Sequence, residues 1–342
     1  MPILKALIAA LAFGVSAPLA KLLLAVVPPL FLAGLLYLGA GVFLGLVRRL
    51  WRRRPTPGRS LTGRDRWILA GVVLTGGVVA PPLLLWGLAR SPATSTALLL
   101  NLEVVFTAIL AGIVFGEHLG ARVGVAALVM ALGGVALGWT PGGPAITAGA
   151  AAVAGACALW ALDNNLTRLI AEGDPLLIVE VKGLVAGAVN VLLALASGQS
   201  WPAPGTIALG LALGAVSYGT SLVLFILAMR ELGAARTGAY FATAPFIGAA
   251  GGLLLGESPT PGFFAAAALM ALATGLLVHE RHAHVHRHAE RTHAHVHVHD
   301  AHHQHEHEGW EGPEPHSHPH PTGPLEHEHP HTPDIHHDHG HH

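Results

Sequence analysis

The chain has 342 residues, of which 52% are hydrophobic and 11% are charged, and its mean hydropathy is +0.54. Ordinary soluble domains carry about 25% charged residues, so this composition disfavours a soluble protein of two domains. The formal net charge of −1 comes with no large basic face, which disfavours nucleic acid as a partner. Cys157 is the single cysteine, which excludes an internal disulfide and a cysteine-based zinc site.

The histidines divide the chain into two parts. Of the 25 histidines, 24 lie between His279 and His342, together with 11 of the 20 acidic residues. The long uncharged runs all fall within 1–278. We therefore interpret 1–278 as a membrane protein and 279–342 as a polar tail.

Ten apolar windows in 1–278 are long enough to cross a bilayer as helices, which takes about 20 residues. They are too long for barrel strands and lack the alternating polar pattern of such strands, so helices are predicted. The first window is interpreted as a membrane helix and not as a signal peptide, because a second apolar window follows it at once. The windows cover 3–25, 29–47, 67–88, 93–115, 121–139, 146–168, 175–197, 205–228, 235–256 and 260–278.

Positive residues in the short connections predict the orientation in the membrane. The connection from Arg48 to Arg66 contains eight arginines, and with ten crossings it lies on the same side as Lys5. The connections 140–145 and 198–204, on the other side, contain no Lys or Arg. This asymmetry places the protein in the cytoplasmic membrane with both termini, and therefore the tail, in the cytoplasm.

The apolar part contains an internal repeat. A shift of 140 residues aligns 90–137 with 230–277 without a gap and superimposes a Gly-Glu pair of each segment. A second match, at a shift of 147 residues, places Phe13 on Trp160. Composition alone would match Ala and Leu, but not Arg, Gly-Glu and Pro at steady offsets, so a duplication is predicted.

The duplication predicts two repeats of five helices each, 1–140 and 145–278. Because five is an odd number, the two repeats lie in the membrane with opposite orientations, and inverted repeats of this kind can open a central cavity to one side and then to the other. The predicted fold is an all-α integral membrane protein, with ten transmembrane helices as two inverted five-helix repeats and a disordered tail over 279–342. A transporter is therefore the leading functional class.

Glycines four residues apart recur along the windows, as in Gly41/Gly45 and Gly183/Gly187. Lipid supplies no hydrophobic force between helices, so close backbone approach through glycine is a common way to pack them. These pairs predict a compact helical bundle and do not bear on what it does.

Three segments resemble the drug/metabolite transporter superfamily: FGVSAPLAKLLL followed by a proline-led second window, ARSPATSTALLLNLEVVFTAILAGIVFGEHLG, and LGAARTGAYFATAPFIGAAGGLLLGE. More narrowly, the chain is similar to the EamA-type members with two five-helix repeats, over nearly all of 1–278. The Gly-Glu pairs that end the fourth and ninth windows are the most specific feature. The resemblance implies a carrier of amino acids, other metabolites or drugs, often outward across the bacterial inner membrane.

Two positions depart from the pattern of the family. The proline expected in the fourth window is present in the second repeat as Pro245, but its partner in the first repeat is Val105. The basic residue often seen early in the second window survives only as Lys182. Both departures bear on the substrate and not on the fold.

Four ionisable residues, Glu103, Asp163, Glu180 and Lys182, lie inside predicted membrane helices. Such groups cost about 2.5–3.5 kcal/mol on insertion scales and usually face a cavity or a partner. Glu103 is interpreted as a cation or proton site or as a contact for a substrate amine. The alternative is an acid that is paired with Lys182, or capped by its neighbours, for packing only. Residues two apart on a helix do not face each other, so Glu180 and Lys182 are expected to have different neighbours.

A polar cluster, Asp163-Asn164-Asn165, either lines the cavity or marks an early helix end near the cytoplasm. Aromatic residues in membrane helices are more often packing groups or interfacial anchors than substrate contacts, but they too are candidates for a cavity wall. The candidate residues for a substrate cavity are Glu103, Asn101, Asp163, Asn164, Lys182, Trp86, Trp160, Tyr218 and Tyr240.

Glu117, Glu257 and Pro245 are candidates for gate or structural positions. The two glutamates end their helices near opposite membrane faces, where we favour a structural role as partners of loop arginines or as repeat-related gates. No HExxH, GxSxG or Walker pattern is present and no nucleophile lies beside a base. The sequence therefore predicts no catalytic residue, no enzymatic activity and no required cofactor.

The tail has the composition of a metal-binding segment. In an extended chain the two histidines of His-x-His lie on one face about 6.6 Å apart, and neutral imidazole suits Zn, Ni, Co and Cu. High polarity and the prolines predict a tail that is disordered until metal binds; the alternative is a solvated tail whose charge depends on pH. The candidate ligands are His282, His284, His286, His288, His293, His295, His297, His299, His302, His303, His305, His307, His316, His318 and His320.

Together these features predict a secondary transporter that moves a small amino acid-like or drug-like metabolite, in the export direction, by alternating access. The tail would act as a metal-binding regulator. One alternative is a transporter of divalent transition metals such as Ni, Co or Zn, favoured by the tail and by acids in the helices. The other is a membrane-anchored metal sensor, for which a single helix would suffice. The predicted partners are the lipid bilayer, a small solute and metal ions.

Overall fold

The computed structural model forms two compact units, Met1–His279 and Glu280–His342. The residues that it describes are 2–51, 61–115, 121–140, 143–144, 147–170, 174–232, 234–278, 282–288, 291–297, 316–322 and 325–331.

In the ranges just given, the regular elements of the first unit are helices apart from one short strand pair. Its helices are α1 (Pro2–Gly14), α2 (Ser16–Leu23), α3 (Pro29–Trp51), α4 (Gly63–Val72), α5 (Ala80–Arg90), α6 (Ala93–Leu99), α7 (Leu102–Phe115), α8 (Ala121–Leu137), α9 (Ala148–Arg168), α10 (Pro175–Ala196), α11 (Pro204–Gly214), α12 (Ser221–Leu232), α13 (Ala234–Phe241), α14 (Ala244–Leu254) and α15 (Phe263–Val278). A π-helical segment, Val73–Val79, joins α4 to α5, and a second one, Ala215–Thr220, joins α11 to α12. Strands β1 (Trp139–Thr140) and β2 (Gly143–Pro144) pair between α8 and α9.

Among the described residues, six helical segments are long and apolar enough to cross a membrane: Pro2–Leu23, Pro29–Leu50, Gly63–Arg90, Ala93–Val114, Leu176–Ala196 and Pro204–Met229. They coincide with six of the ten predicted windows, and the remaining four windows contain α8, α9, the pair α13 and α14, and α15. The prediction of an all-α, multi-pass membrane protein is therefore confirmed for the first unit. The count of ten crossings stays a prediction.

The surface of the first unit suits lipid. Large apolar side chains such as Ile113, Leu192 and Leu254 are exposed, whereas soluble proteins scatter such residues among charges. Helices leave no backbone group unpaired in hydrocarbon, so a bundle with this surface can lie in a bilayer.

The helices of the first half of this unit pack against those of the second half. Helix α3 packs against α10, α6 against α14 and α8 against α15, while α1 packs against α12 and α5 against α9. Glycines permit the closest approach: a Cβ atom added at Gly183 would lie 2.8 Å from the Cα of Gly41, and one added at Gly187 would lie 2.9 Å from the carbonyl oxygen of Gly34. The predicted glycine contacts thus include the α3–α10 interface.

The tail contains four strands in the part of it that the structure describes: β3 (His282–His288), β4 (Arg291–His297), β5 (His316–Thr322) and β6 (Leu325–His331). They form two antiparallel pairs, β3 with β6 and β4 with β5. These strands lie in the segment that is predicted to be disordered until metal binds. The alternation of histidine with residues such as Val and Thr has the two-residue period of a strand, which the composition-based prediction did not take into account.

Candidate functional site

A central cavity of about 360 Å³ lies within the helical unit. Its walls come from eight helices and the second π-helical segment, so that both halves of the unit contribute to it. The lining residues are Phe13, Tyr37, Ala40, Val72, Glu103, Trp160, Asp163, Asn164, Thr167, Ile178, Val179, Lys182, Gly183, Ser217, Tyr218, Ser221, Leu222, Phe225 and Phe241.

The charged lining residues are two acids and one base. The Lys182 ammonium donates a hydrogen bond to Oδ2 of Asp163, which joins the first turns of α10 to the end of α9. Nδ2 of Asn164 donates to Oε1 of Glu103 at 2.8 Å. With Lys182 paired to Asp163, the carboxylate of Glu103 is the excess charge of the cavity, and the amide group of Asn164 orients it.

Glu180 does not belong to this group. Its carboxylate accepts a hydrogen bond from Nε of Arg48, at the end of α3, and its side chain is 10% exposed. Glu180 and Lys182 therefore face different partners, as their spacing on one helix predicts.

The π-helical segment Val73–Val79 shapes the wall beside Asp163. The carbonyl oxygen of Gly76 accepts hydrogen bonds from the hydroxyl of Tyr37 at 2.7 Å and from Nε1 of Trp160 at 3.0 Å. The changed hydrogen-bond register of a π-helix frees carbonyl groups for such contacts. A Cβ atom at Gly76 would lie 2.7 Å from Cβ of Asp163, so glycine is what leaves space for the acid there.

Aromatic rings form the rest of the wall. The ring centroids of Tyr37 and Tyr218 are 5.9 Å apart, those of Phe13 and Tyr218 are 5.8 Å apart, and those of Phe13 and Phe241 are 5.5 Å apart. Phe225 continues the row, 5.0 Å from Phe241. Such rings bind apolar groups and, through their faces, cations.

Two serines of the helical segment that runs from α11 to α12 also line the cavity. The Ser221 hydroxyl donates to the carbonyl oxygen of Ala9 at 2.8 Å. Ser217 is fully buried, and within the described ranges its hydroxyl has no hydrogen-bond partner. A buried hydroxyl of this kind is costly unless a ligand or water satisfies it.

Six of the nine predicted cavity residues line the cavity: Glu103, Asp163, Asn164, Lys182, Trp160 and Tyr218. The other three lie elsewhere. Asn101 is buried at the break between α6 and α7, where Nδ2 donates to the carbonyl oxygen of Leu98 at 2.9 Å. The guanidinium of Arg90 stacks on the ring of Trp86, 3.7 Å from its centroid, and Tyr240 is a residue of α13 outside the cavity lining.

Sequence patterns did not reveal Tyr37, Phe225 or Phe241 as cavity residues, or Gly76 as the residue that leaves space for Asp163. An aromatic residue in an apolar window is usually interpreted as a packing residue, and the composition does not predict a π-helical segment. One signal was present for Phe13, because the repeat alignment places it on Trp160, and both residues line the cavity.

The predicted gate or structural residues have separate environments. The carboxylate of Glu257 accepts hydrogen bonds from the backbone N–H groups of Ala93 at 2.7 Å and Thr94 at 2.8 Å, so it caps the start of α6. Pro245 lies in the first turn of α14. Glu117 lies outside the described residues.

Some of the predicted metal ligands lie within the described residues and the others lie outside them. Ten of them lie in the four tail strands: His282, His284, His286, His288, His293, His295, His297, His316, His318 and His320. The other five lie outside the described residues: His299, His302, His303, His305 and His307.

Comparison with known proteins identifies a family that is similar to the first part of the chain, which supplies several of the cavity residues. Residues 1–139 match the model of the EamA-like transporter family. This part of the chain is similar to that family. The resemblance predicted from the sequence is thus confirmed, and the EamA-like segment supplies Phe13, Tyr37 and Glu103 to the cavity.

Two similarities that extend over most of the chain agree with the family match. An uncharacterized transporter from Methanothermobacter thermautotrophicus (strain Delta H) is 29% identical over 264 residues, which cover 72% of this chain and 77% of that protein. A solved structure entitled "Crystal structure of protein" is similar with a TM-score of 0.58 and 21% identity, over 81% of this chain and 95% of the other, and supports the fold alone. The chain is thus similar to EamA-like transporters over residues 1–139 and to a transporter over 72% of its length, and it contains helices long and apolar enough to cross a membrane.

Proposed function

We propose that the protein is a secondary transporter that exports a small metabolite, amino acid-like or drug-like and bearing an amine, across the cytoplasmic membrane by alternating access. The observation that carries this proposal is the central cavity, in which one acid-base pair and one further carboxylate are enclosed by aromatic rings. A cavity of about 360 Å³ falls in the size range of small-molecule sites, about 300–1,000 Å³.

The packing of the helices supports two inverted repeats. If the second half repeats the first, α3 corresponds to α10 and α8 to α15, and each of these helices packs against its own counterpart, while α6 packs against α14, the counterpart of α7. The same correspondence relates α1 to α9 and α5 to α12, so it converts the α1–α12 contact into the α9–α5 contact, which is also present. The two π-helical segments occupy the third span of each predicted repeat. An arrangement of this kind around a cavity is the one that alternating access uses.

The charges of the cavity support a solute with an amine. Lys182 neutralises Asp163, so a neutral or anionic solute would leave the carboxylate of Glu103 unpaired among apolar groups, which is costly. An ammonium group can pair with Glu103, and the rings of Phe13, Tyr37 and Tyr218 can pack around the rest of the solute. A proton bound at Glu103 is the second way to remove this charge, which would couple the solute to protons.

A transition-metal cargo finds less support in the cavity. Among the residues whose side chains the structure describes, no group of three or more His, Cys, Asp and Glu is arranged to hold a metal ion. Of the two acids in the cavity, Asp163 is already paired with Lys182. We therefore assign metals to the tail and not to the transport site.

Flux measurements with the purified protein in proteoliposomes test this proposal. A panel of amino acids and amines, their neutral amide or alcohol analogues, and Zn²⁺ and Ni²⁺ would be tested with and without a proton gradient. Removing one partner of a buried charge pair costs about 2–5 kcal/mol, so Glu103→Gln should slow the flux of the amine solute by about thirtyfold or more.

The matched control is Glu231→Gln. Glu231 is exposed at the end of α12, and the hydrogen bond from the Lys5 ammonium lowers the pKa of its carboxyl below the ordinary value. It is not a lining residue of the cavity, so this variant should transport normally. Unchanged amine flux in Glu103→Gln would refute the role of Glu103. Metal flux that persists without the tail and disappears in Glu103→Gln would establish the metal transporter instead.

The tail is proposed to bind divalent transition metals on the cytoplasmic side and to regulate the transporter. The strand register supports metal binding, because it places histidine opposite histidine: His284 opposite His329 in one strand pair, and His295 opposite His318 in the other. Residues directly opposite in an antiparallel pair have Cβ atoms about 4.5–5.5 Å apart, close enough for two imidazoles to share one ion. The cytoplasmic location rests on the arginines between Arg48 and Arg66.

A further inference from the structure

The cavity lies near one end of the helical bundle. We call this end the Arg48 end; it is formed by the end of α3 and the beginning of α10, which the Arg48–Glu180 ion pair joins. Asp163 and Thr167 lie in the last two turns of α9, and Lys182 lies in the first turns of α10. The polar wall of the cavity is therefore displaced towards the Arg48 end.

The opposite end, which we call the Ser91 end, is formed by the end of α5 and the beginning of α6. Three aromatic residues, Phe13, Trp160 and Tyr218, border both the central cavity and a second, much smaller space of about 10 Å³. A space of about 10–15 Å³ holds one water molecule at most. These three side chains, the aromatic layer, thus close the cavity towards the Ser91 end.

The residues that line the small space beyond the aromatic layer are apolar, apart from Ser16. The small space is lined by Ser16, Ala17 and Ala20 from α2 and by Leu84 and Leu88 from α5, with Leu85 and Leu100 beside them. Solute in the central cavity would have to separate α2 from α5 to leave through this end. The contacts that hold α2, α5 and α6 together at the Ser91 end therefore decide whether it opens.

Two charged side chains make these contacts at the turn between α5 and α6. The Lys21 ammonium, from α2, donates to the carbonyl oxygen of Leu88 at 2.5 Å and to that of Ser91 at 2.8 Å. The carboxylate of Glu257, after α14, accepts from the N–H groups of Ala93 and Thr94. Lys21 thus binds the last carbonyls of α5, and Glu257 binds the first N–H groups of α6. Such charge-assisted bonds are about twice as strong as neutral ones.

The Lys21 contacts join α2 to the turn at Ser91, and the Glu257 contacts join the segment after α14 to the same turn. Lys21 belongs to the first half of the bundle and Glu257 to the second, so the turn at Ser91 is held from both halves. The helices behind these contacts are also in close contact, since a Cβ atom at Gly248 of α14 would lie 3.0 Å from Cβ of Ala97 of α6. A movement of α6 away from α14 would break the contacts of Glu257 with Ala93 and Thr94.

We propose that this structure is the conformation closed at the Ser91 end, and that Lys21 and Glu257 are the positioning residues that hold this end closed around the aromatic layer. The inference rests on the proposed alternating access but not on the identity of the solute. Transport requires these contacts to break and re-form in each cycle. Weakening them shifts the population towards the conformation that is open at the Ser91 end.

Thiol labelling of the full-length protein in membranes tests this inference. The background is Cys157→Ser, which removes the buried native thiol. One reporter, Ser16→Cys, lies beyond the aromatic layer, and the other, Thr167→Cys, lies in the central cavity. A membrane-impermeant maleimide added to one side at a time should label Thr167→Cys from the side of the Arg48 end and leave Ser16→Cys protected.

Glu257→Gln should then raise the labelling rate of Ser16→Cys from the other side by about fivefold or more, the change expected when one capping bond is weakened. Labelling of Thr167→Cys from the Arg48 side should fall, because the two openings exclude each other. Lys21→Met should act in the same direction. Glu231→Gln, which breaks an exposed ion pair with Lys5, is the control and should change neither reporter.

A general loss of structure would behave differently, since both reporters would then be labelled from both sides, and this result would overturn the inference. Equal protection of Ser16→Cys in the parent and in Glu257→Gln would overturn it as well. The experiment uses no solute. A correct labelling pattern combined with unchanged flux in Glu103→Gln would therefore refute the proposed substrate contact and leave the closure at the Ser91 end intact.

Discussion

The Lys182–Asp163 pair is the strongest local determinant of the cavity. Both side chains are largely buried, and each would carry a prohibitive charge without the other. Gly76 provides the space for Asp163, and the hydrogen bonds of Tyr37 and Trp160 fix the backbone beside it. The pair therefore has two roles that can be separated, stability of the bundle and the charge balance of the transport site.

We expect Lys182→Met to lower the midpoint of thermal unfolding in detergent by roughly 5 °C or more, because removal of one partner leaves a buried carboxylate without compensation, at a cost of about 3–5 kcal/mol. The double variant Lys182→Met with Asp163→Asn removes both charges, so most of this stability should return. Transport should stay impaired in both, since the ion pair no longer orients the cavity. Full transport in the double variant would show that the pair is structural alone.

All three charged residues of the cavity were predicted from the sequence. Glu103, Asp163 and Lys182 interrupt apolar windows, and the cost of burying a charge makes such interruptions informative. Asn101 interrupts a window in the same way, but its amide group donates a hydrogen bond to a nearby backbone carbonyl at a helix break. Polarity alone therefore did not distinguish a residue that lines the cavity from one that is buried beside a helix break. Tyr37 gave no signal, because its position on the cavity depends on the packing of α3 and not on its own chemistry.

At the scale of the helices, apolar windows located the helical segments but not the interruptions inside them. Hydropathy depends on side chains, whereas the π-helical segments and the break between α6 and α7 are changes of backbone hydrogen-bond register. The glycine spacing gave partial information: Gly183 contacts Gly41 closely, but a Cβ atom at Gly134 would meet nothing within 4 Å. Spacing therefore indicates where helices can approach, and the packing decides which glycines are used.

A comparison of Gly183→Ala with Gly134→Ala tests the close packing of α10 against α3. Both changes place alanine in a helix and gain about 1 kcal/mol of helix propensity. In Gly183→Ala the new methyl group would meet the backbone of α3, which cannot rotate away, at a cost of up to about 3 kcal/mol. Thermal unfolding should show a lower midpoint for Gly183→Ala and an unchanged or higher one for Gly134→Ala. Equal midpoints would mean that α3 and α10 are not in this close contact.

At the scale of the whole molecule, the chain joins an apolar helical unit to a tail of opposite character. The family match covers residues 1–139, and the cavity lies within the helical unit. The described strands of the tail pair with one another, histidine opposite histidine. Transport is thus expected to reside in the helical unit and metal binding in the tail.

Deletion of 279–342 separates these two properties. The truncated protein should retain amine flux in proteoliposomes and should lose Zn²⁺ binding in titration calorimetry, because no group of metal ligands is found among the side chains that the structure describes. In the full-length protein, Zn²⁺ should change the flux rate, and a chelator should restore it, while the truncated protein responds to neither. A truncated protein that still binds Zn²⁺ with the same affinity would place the metal site in the helical unit. Full-length flux that ignores Zn²⁺ would show that the tail binds metal without regulating transport.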